Sequence, residues 1–314
     1  MIIHIQMADS ITSTLKRLKP WMLPIAIMLG MIFHNVAGKL TFLSPYLIFL
    51  MLFITFCRIN PREIKITRLS PALLSIQILG SLAAYYILRS YDVAVAQGMM
   101  ICILCPTATA APVITGMLGG SVPRLVTYSL VSNLAVALLC PFILPEVSGH
   151  EMGVGEMAES FRHIASSIIP LIILPLVVAM VFRRVAPKIH QMVSTHQSVG
   201  FYMWAVSLLI VVGSAVSFVM SEPWERVPEM IVLALGAGVA CALQFFAGRR
   251  IGGLCGDKIA GAQGLGQKNT ILAIWIALTY LDPISSVAPA AYIAWQNTFN
   301  SIQIYLHERA MRNA

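Results

Sequence analysis

Charge is scarce in this sequence. Only 11% of its 314 residues are charged, whereas an ordinary soluble domain has about 25% charged residues. Hydrophobic residues make up 58% of the chain, and the mean hydropathy is +0.81. This composition excludes a water-soluble globular domain and predicts a polytopic membrane protein.

Patterns typical of enzymes, disulfide scaffolds and channels are also missing. The six cysteines fall mostly inside apolar stretches, and Cys102-x-x-Cys105 has no further Cys or His near it that would indicate a metal or redox site. None of the seven histidines lies in the middle of an apolar stretch, and acid–base groups for catalysis are lacking. The sequence contains no selectivity-filter motif of the kind that would indicate a channel. We therefore expect no enzyme and no cofactor, with sodium or proton coupling left open.

Ten apolar stretches are long enough to cross a bilayer as helices. The predicted spans are residues 18–34, 40–57, 69–88, 92–118, 122–145, 164–182, 198–220, 229–248, 258–281 and 284–306. Most of the 21 Lys and Arg residues then fall on one side, which puts both termini in the cytoplasm and explains the net charge of +8 without a nucleic-acid partner. Short loops and the lack of a cleavable signal peptide indicate a bacterial inner membrane.

The longest loop divides the spans into two sets of five. The predicted segments are an N-terminal cytoplasmic segment (1–17), a first five-helix repeat (18–147), an extracytoplasmic loop (148–163), a second five-helix repeat (164–308) and a C-terminal tail (309–314). An odd number of spans in each half gives the halves opposite orientations, as in an inverted repeat. The sequence therefore predicts an all-α fold of two inverted five-helix repeats.

The fourth span contains two prolines at its centre, Pro106 and Pro112. Each removes a backbone donor and frees carbonyls, so the stretch is predicted to be an unwound segment between two half-helices. Free N–H groups there can face an anion, and unwound carbonyls can face a cation. The alternative is one kinked helix whose threonines bond their own backbone. The candidate binding residues of this span are Thr107, Thr109, Ala111, Pro112 and Thr115.

The ninth span contains a polar interruption. Gly264 and Gly266 weaken the helix there, and Gln267, Lys268 and Asn269 follow them. Lys268 lies about 15 Å from either end of its apolar stretch at helical rise, which is far for a side chain to reach the membrane surface. An ionisable residue inside a span predicts a functional site, with a purely structural lysine as the alternative. Breaks in the fourth span of each half predict crossed discontinuous helices 4 and 9, which is the geometry of a transporter.

At these residues the chain resembles the bile acid:sodium symporter family. The resemblance is carried by Cys105-Pro106 and the small residues after it, by residues 58–63, by Gln77, by residues 131–141 and by Gly266-x-x-Asn269. It implies ten helices in two inverted repeats that cross at unwound fourth and ninth helices. It also implies transport of organic anions such as bile acids, steroid conjugates or small carboxylates.

The chain departs from the family at positions that bind sodium. The family's fourth helix carries a Ser-Asn pair where this chain has Ala111 and Pro112. In the ninth helix the family has the pattern Glu-x-Gly-x-Gln-Asn. Here Gly264 stands in place of the glutamate, and Lys268 stands in place of the glutamine. Of two hydroxyl positions in the fifth helix, one remains, at Ser129. The resemblance thus implies that the sodium sites are largely dismantled.

The function predicted from these residues is sodium-independent transport of organic anions by alternating access. The Lys268 ammonium either replaces a coupling cation permanently, bonded to Gln77 and unwound carbonyls, or exchanges its proton during transport. Asn297 and its neighbours on the tenth span either line the cavity or bond adjacent helices. The expected partners are the lipid bilayer and a small organic anion. The alternatives are a sodium-coupled symporter, an arsenite-type efflux carrier with Cys105 as a soft ligand, and a membrane protein that binds without transporting.

Overall fold

A computed structural model describes residues 22–57, 59, 64–108, 111–148, 154–195 and 197–313. Within these ranges the chain is mostly helical and contains no β-strand. The predicted segment 1–17 lies outside the described residues, as do residues 149–153 of the predicted loop and most of residues 58–63.

The helices are numbered here in chain order. They are α1 (Met22–Ile32), α2 (His34–Lys39), α3 (Ser44–Cys57), α4 (Leu69–Leu88), α5 (Val93–Leu104), α6 (Ala111–Met117), α7 (Val122–Val147), α8 (Val154–Val185), α9 (Pro187–Thr195), α10 (Gln197–Ser221), α11 (Val227–Leu254), α12 (Lys258–Gly266), α13 (Thr270–Tyr280) and α14 (Val287–Asn313). Single 3-10 turns lie at Thr41–Leu43, Trp224–Arg226 and Pro283–Ser286.

Within the described residues, four helices are long and apolar enough to cross a membrane. They are α4, α7, the Ala158–Val185 part of α8, and α11 together with the turn before it. Large apolar side chains on their outer faces are exposed, among them Leu79, Leu138 and Leu243, and hydrocarbon is the solvent that suits them. The fold confirms the prediction of an all-α integral membrane protein.

The α8 helix begins earlier than the sequence predicts. Its first residue is Val154, although the sixth span was expected to start at residue 164 and the segment before it to be a loop. Glu156 lies in the first turn, where a negative charge favours the positive end of the helix dipole. Glu159 pairs with Arg162 one turn later at 3.0 Å, which also stabilises the helix. Polar residues thus extend this helix beyond its apolar part.

The helices pack in two groups. In the first group, α1, α2 and α3 lie against α10, and α8 lies against α3. In the second group, α5, α12 and α14 lie against α11, while α4 lies against α5 and α7. The groups meet where α8 packs along α7 and where α10 contacts α13. Of the remaining helices, α6 lies against α7 and α12, and α13 lies against α5 and α14. With these two, the second group contains every helix next to the two predicted breaks.

Asp257 connects two turns at one end of the second group of helices through hydrogen bonds. Its carboxylate accepts the backbone N–H groups of Ile259 and Ala260 at 3.2 and 2.8 Å, so it caps the start of α12. The same carboxylate accepts the N–H of Ser121, just before α7, at 2.8 Å. One side chain thus joins the turn before α12 to the turn before α7.

Arg226 joins the two groups at another point. Its guanidinium pairs with Glu222 beyond α10 at 3.1 Å and with Glu229 in α11 at 3.0 Å. A longer contact of 3.5 Å reaches Asp282 in the turn after α13. This network ties the first group to the second through one cation and three carboxylates.

Candidate functional site

The first predicted break lies between α5 and α6. The helix ends at Leu104, although the N–H of Cys105 still bonds the Ile101 carbonyl at 3.0 Å. Pro106 has no N–H to continue that pattern, which explains why the helix stops here. The chain is helical again from Ala111. Thr109 lies outside the described residues.

The second break is shorter than expected, and the glycines do not open it. Gly264 and Gly266 belong to the last turn of α12, and only residues 267–269 separate α12 from α13. A Cβ on Gly264 would lie 2.9 Å from the Tyr128 ring, and one on Gly266 would lie 2.4 Å from the Phe245 ring. These glycines therefore allow close packing rather than unwinding, which corrects the role given to them from the sequence.

The two breaks lie against each other, and we call the contact between residues 106–108 and 267–269 the crossing. Thr107 and Lys268 face one another in an isolated antiparallel bridge. The Ala108 N–H donates to the Gln267 carbonyl at 3.0 Å, and the Asn269 N–H donates to the carbonyl of Pro106 at 2.8 Å. Each break therefore satisfies backbone groups that the other leaves without a helical partner.

Side chains from both halves of the chain donate hydrogen bonds to the last carbonyls of α5 and α12. At α5, the Lys268 ammonium donates to the Ile103 carbonyl at 2.7 Å. The Gln77 amide donates to the next two carbonyls, of Leu104 and Cys105, at 2.5 and 3.2 Å. The last carbonyls of a helix carry the negative end of its dipole, so this end suits a cation.

At α12, two hydroxyl groups donate to carbonyls of the last turn. The Thr107 hydroxyl bonds the Gly264 carbonyl at 2.9 Å, and the Tyr292 hydroxyl bonds the Gly266 carbonyl at 2.9 Å. Threonine is a candidate from the sequence, but Tyr292 was not singled out because nothing in its local pattern marks it.

Lys268 is a buried ionisable residue without a carboxylate partner. Its side chain is 1% exposed, and it is the only charged residue among the buried ones in the described ranges. None of the ion pairs found in those ranges includes it. The Ile103 carbonyl and the negative end of α5 therefore stabilise the ammonium. The expected bond between Lys268 and Gln77 is not formed, because the two side chains bond successive carbonyls of the same helix end.

Gln77 uses its full hydrogen-bonding capacity. Its oxygen accepts the Tyr128 hydroxyl at 2.6 Å and the Ser132 hydroxyl at 2.8 Å, while its nitrogen serves the end of α5. An amide oxygen has two lone pairs, and both are occupied here. Tyr128 and Ser132 were not among the predicted site residues, although their spacing of four places them on one face of α7.

Replacing Gln77 with leucine is expected to destabilise the protein strongly. The change leaves two carbonyls and two hydroxyls buried without their partner, and each unsatisfied group costs about 1–3 kcal/mol. We expect the free energy of unfolding to fall by at least about 3 kcal/mol. Denaturant unfolding in detergent micelles measures this change. Tyr128→Phe is the control, since it removes one donor, and an equal loss in both variants would contradict the network.

Four more predicted residues lie at the start of α13 and on α6, beside the crossing. Asn269 caps α13 by accepting the Leu272 N–H at 3.2 Å. Ala111 and Thr115 are fully buried on α6, with Pro112 half-buried beside them. The structure thus places α6 against α7 and α12, next to the crossing but beyond its hydrogen bonds.

Polar residues of α14 bond neighbouring helices. Gln296 accepts the backbone N–H of Lys268 at 2.9 Å, and Gln303 accepts from Gln263 of α12 at 3.4 Å. Asn297, the predicted candidate, donates to a carbonyl of its own helix at 2.7 Å. Gln296 therefore contacts the crossing more directly than Asn297 does.

The last two predicted residues are Ser129 on α7 and Gln267 in the second break. The carbonyl of Ser129, which is half-buried, accepts from Asn133 one turn later at 2.7 Å. The Gln267 amide donates to Gln263. Within the part of the chain that the structure describes, no three His, Cys, Asp or Glu residues form a potential metal site.

Two interrupted helices whose breaks lie against each other inside a helical membrane protein are typical of secondary transporters. The model of the Sodium Bile acid symporter family matches residues 45–222, which is more than half of the chain. The chain belongs to this family, as the sequence motifs predicted, and is therefore a membrane transporter by family. The matched residues include the first break and end before the second. No curated protein matches the chain in a sequence search.

Proposed function

We propose that this protein carries organic anions across the membrane without sodium. The observation that carries the proposal is the Lys268 ammonium, which is bonded to the Ile103 carbonyl at the negative end of α5. A positive charge held there by the chain itself takes the place that a coupling cation would otherwise occupy. In this proposal Lys268 therefore acts as a cation that is covalently attached to the protein, and we call it the tethered cation.

The surroundings of Lys268 support the loss of sodium ligands. A sodium ion needs several oxygens with free lone pairs, and the Gln77 oxygen already accepts two hydroxyls. Ala111 and Pro112 offer no polar side-chain atom where the family resemblance implies a Ser-Asn pair. At Gly264, where the resemblance implies an acid, the Tyr128 ring fills the space that a side chain would need.

The proposed mechanism is alternating access between the two groups of helices. In this proposal the chain has ten spans in two inverted five-helix repeats, with α5–α6 and α12–α13 as the discontinuous helices 4 and 9 and both termini in the cytoplasm. The two groups move against each other around the crossing. The hydrogen bonds between the two breaks favour a crossing that stays intact during this motion.

The proposed substrate is a bile-acid-like molecule or a small carboxylate. Lys268 gives the crossing a net positive charge in apolar surroundings, and both features suit an amphipathic anion. The family to which the chain belongs supports the same class of substrate. Arsenite efflux is less favoured because Cys105 is fully buried and its carbonyl is held by Gln77.

Uptake by the wild-type protein is expected to be the same with and without a sodium gradient. The assay uses proteoliposomes and two labelled substrates, a bile acid and a small carboxylate. An imposed pH gradient separates proton coupling, in which the gradient drives uptake, from facilitated transport. Strictly sodium-dependent uptake would refute the tethered cation. Binding of either anion without uptake would favour the non-transporting alternative, and competition by arsenite would favour the efflux type.

A further inference from the structure

A cavity of about 520 Å³ lies between α11, α12 and α14, away from the crossing. Its volume is typical of a small-molecule site, for which about 300–1,000 Å³ is usual. Aromatic rings form much of its wall, namely Phe245 and Phe246 of α11 and Phe299 of α14. The cavity therefore has the apolar interior that a hydrocarbon chain requires.

Basic side chains line the same cavity. Arg249, Lys258 and His307 lie on its wall, and no acidic side chain is found among its described lining residues. Asp257, which precedes Lys258 in the chain, already accepts three backbone N–H groups. The described lining of the cavity thus combines basic side chains with an apolar floor.

The cavity is separate from the space between the two groups of helices. Its lining residues come from α11, α12 and α14 and from Leu118 next to α6, all in the second group. Phe246 and Leu306 on its wall are 59% and 54% exposed, and Leu243 on the same face of α11 is 61% exposed. Large apolar side chains exposed in a membrane protein face lipid, so the cavity opens toward the bilayer.

We propose that this cavity binds an anionic membrane lipid, with the headgroup phosphate at Arg249 and Lys258 and the start of an acyl chain along the aromatic rings. Basic pockets at the membrane surface bind anionic headgroups in this way. A free phosphate would gain nothing from the aromatic wall, and a zwitterionic lipid would gain less from the basic residues. The combination therefore favours an anionic lipid over both.

Residues on the cavity wall would also connect a bound lipid to the crossing, through two sets of contacts. Gln303 on the cavity wall accepts from Gln263, which in turn accepts from Gln267 in the second break. The Phe245 ring on the same wall packs on Gly266, the last residue of α12. The effect of the lipid on uptake rests on the proposed transport function, but lipid binding does not. The lipid proposal and the transport proposal can therefore fail separately.

The test measures lipid binding to the purified protein by native mass spectrometry in detergent. Phosphatidylglycerol, phosphatidylcholine and soluble glycerol 3-phosphate are compared. Each basic side chain near an anionic headgroup contributes about a fivefold change in affinity. Arg249→Gln with Lys258→Gln is therefore expected to weaken phosphatidylglycerol binding about 25-fold. Ala242→Phe, which fills the cavity without changing charge, is expected to weaken it too.

The matched control is Arg184→Gln with Lys188→Gln, which removes the same charge from exposed positions on α8 and α9 outside the cavity. Unchanged phosphatidylglycerol binding in this control supports the proposal. An equal loss in the control would show nonspecific attraction and overturn it. Equal binding of phosphatidylcholine would also overturn it, and equal binding of glycerol 3-phosphate would assign the cavity to a free phosphate ester instead.

Discussion

Replacing Lys268 with methionine is expected to lower sodium-independent uptake by about 10- to 100-fold. The change removes the ammonium that bonds the Ile103 carbonyl, and a hydrogen bond to a charged group contributes about 1.5–3 kcal/mol. Methionine keeps an unbranched side chain of similar length in a site where Lys268 is 1% exposed. The loss therefore reports on the charge rather than on the space it fills.

Lys268→Gln separates a tethered cation from other roles of the lysine. Both variants free the Ile103 carbonyl from the ammonium, but only glutamine adds an amide oxygen that can bind sodium beside it. We therefore expect a sodium gradient to restore part of the uptake in Lys268→Gln but none in Lys268→Met. Uptake of a labelled bile acid into proteoliposomes measures both variants against the wild type.

A structural lysine would give a different result. If both variants kept wild-type uptake without sodium, the ammonium would have no part in coupling. If both lost thermal stability in detergent to the same degree as uptake, the lysine would mainly hold the crossing together. Thermal midpoints measured with and without sodium complete the comparison, because sodium should stabilise Lys268→Gln alone if the ion binds there.

Local signals in the sequence predicted the helices and their interruptions well. The third span was expected at residues 69–88, and α4 is Leu69–Leu88. Pro106 gave the first break because proline has no N–H for the next helical bond. Three polar residues in an apolar stretch gave the second. Each of these features depends on residues next to one another in the chain.

Packing partners could not be predicted, because they lie far apart in the chain. Lys268 and Ile103 are 165 residues apart. The sequence predicted that Lys268 bonds unwound carbonyls together with Gln77, but it could not identify which carbonyl. Tyr128 was missed for the same reason, since its hydroxyl acts on Gln77 in another helix. The glycines of α12 were assigned to unwinding because the sequence does not reveal the aromatic rings that pack on them.

Gly248→Val is expected to have the largest effect on folding. A Cβ at Gly248 would lie 2.2 Å from the Gly261 carbonyl oxygen and 2.9 Å from its carbon, so the clash is with backbone that no rotamer change can relieve. Close approach of helices at small residues is how membrane helices pack. Overpacking typically costs about 1–3 kcal/mol, and we expect a loss at or above about 3 kcal/mol here.

Gly253→Val is the matched control for this change. It puts the same residue into the same helix, but its Cβ would meet only the Lys258 Cβ, at 4.0 Å. Both variants put the same β-branched residue into α11, so a much larger fall in the thermal midpoint of Gly248→Val reports on packing. Equal midpoints would contradict the close contact of α11 with α12. If Gly248→Val still folds, we expect its uptake to fall as well, because α12 ends at the crossing and moves with any separation from α11.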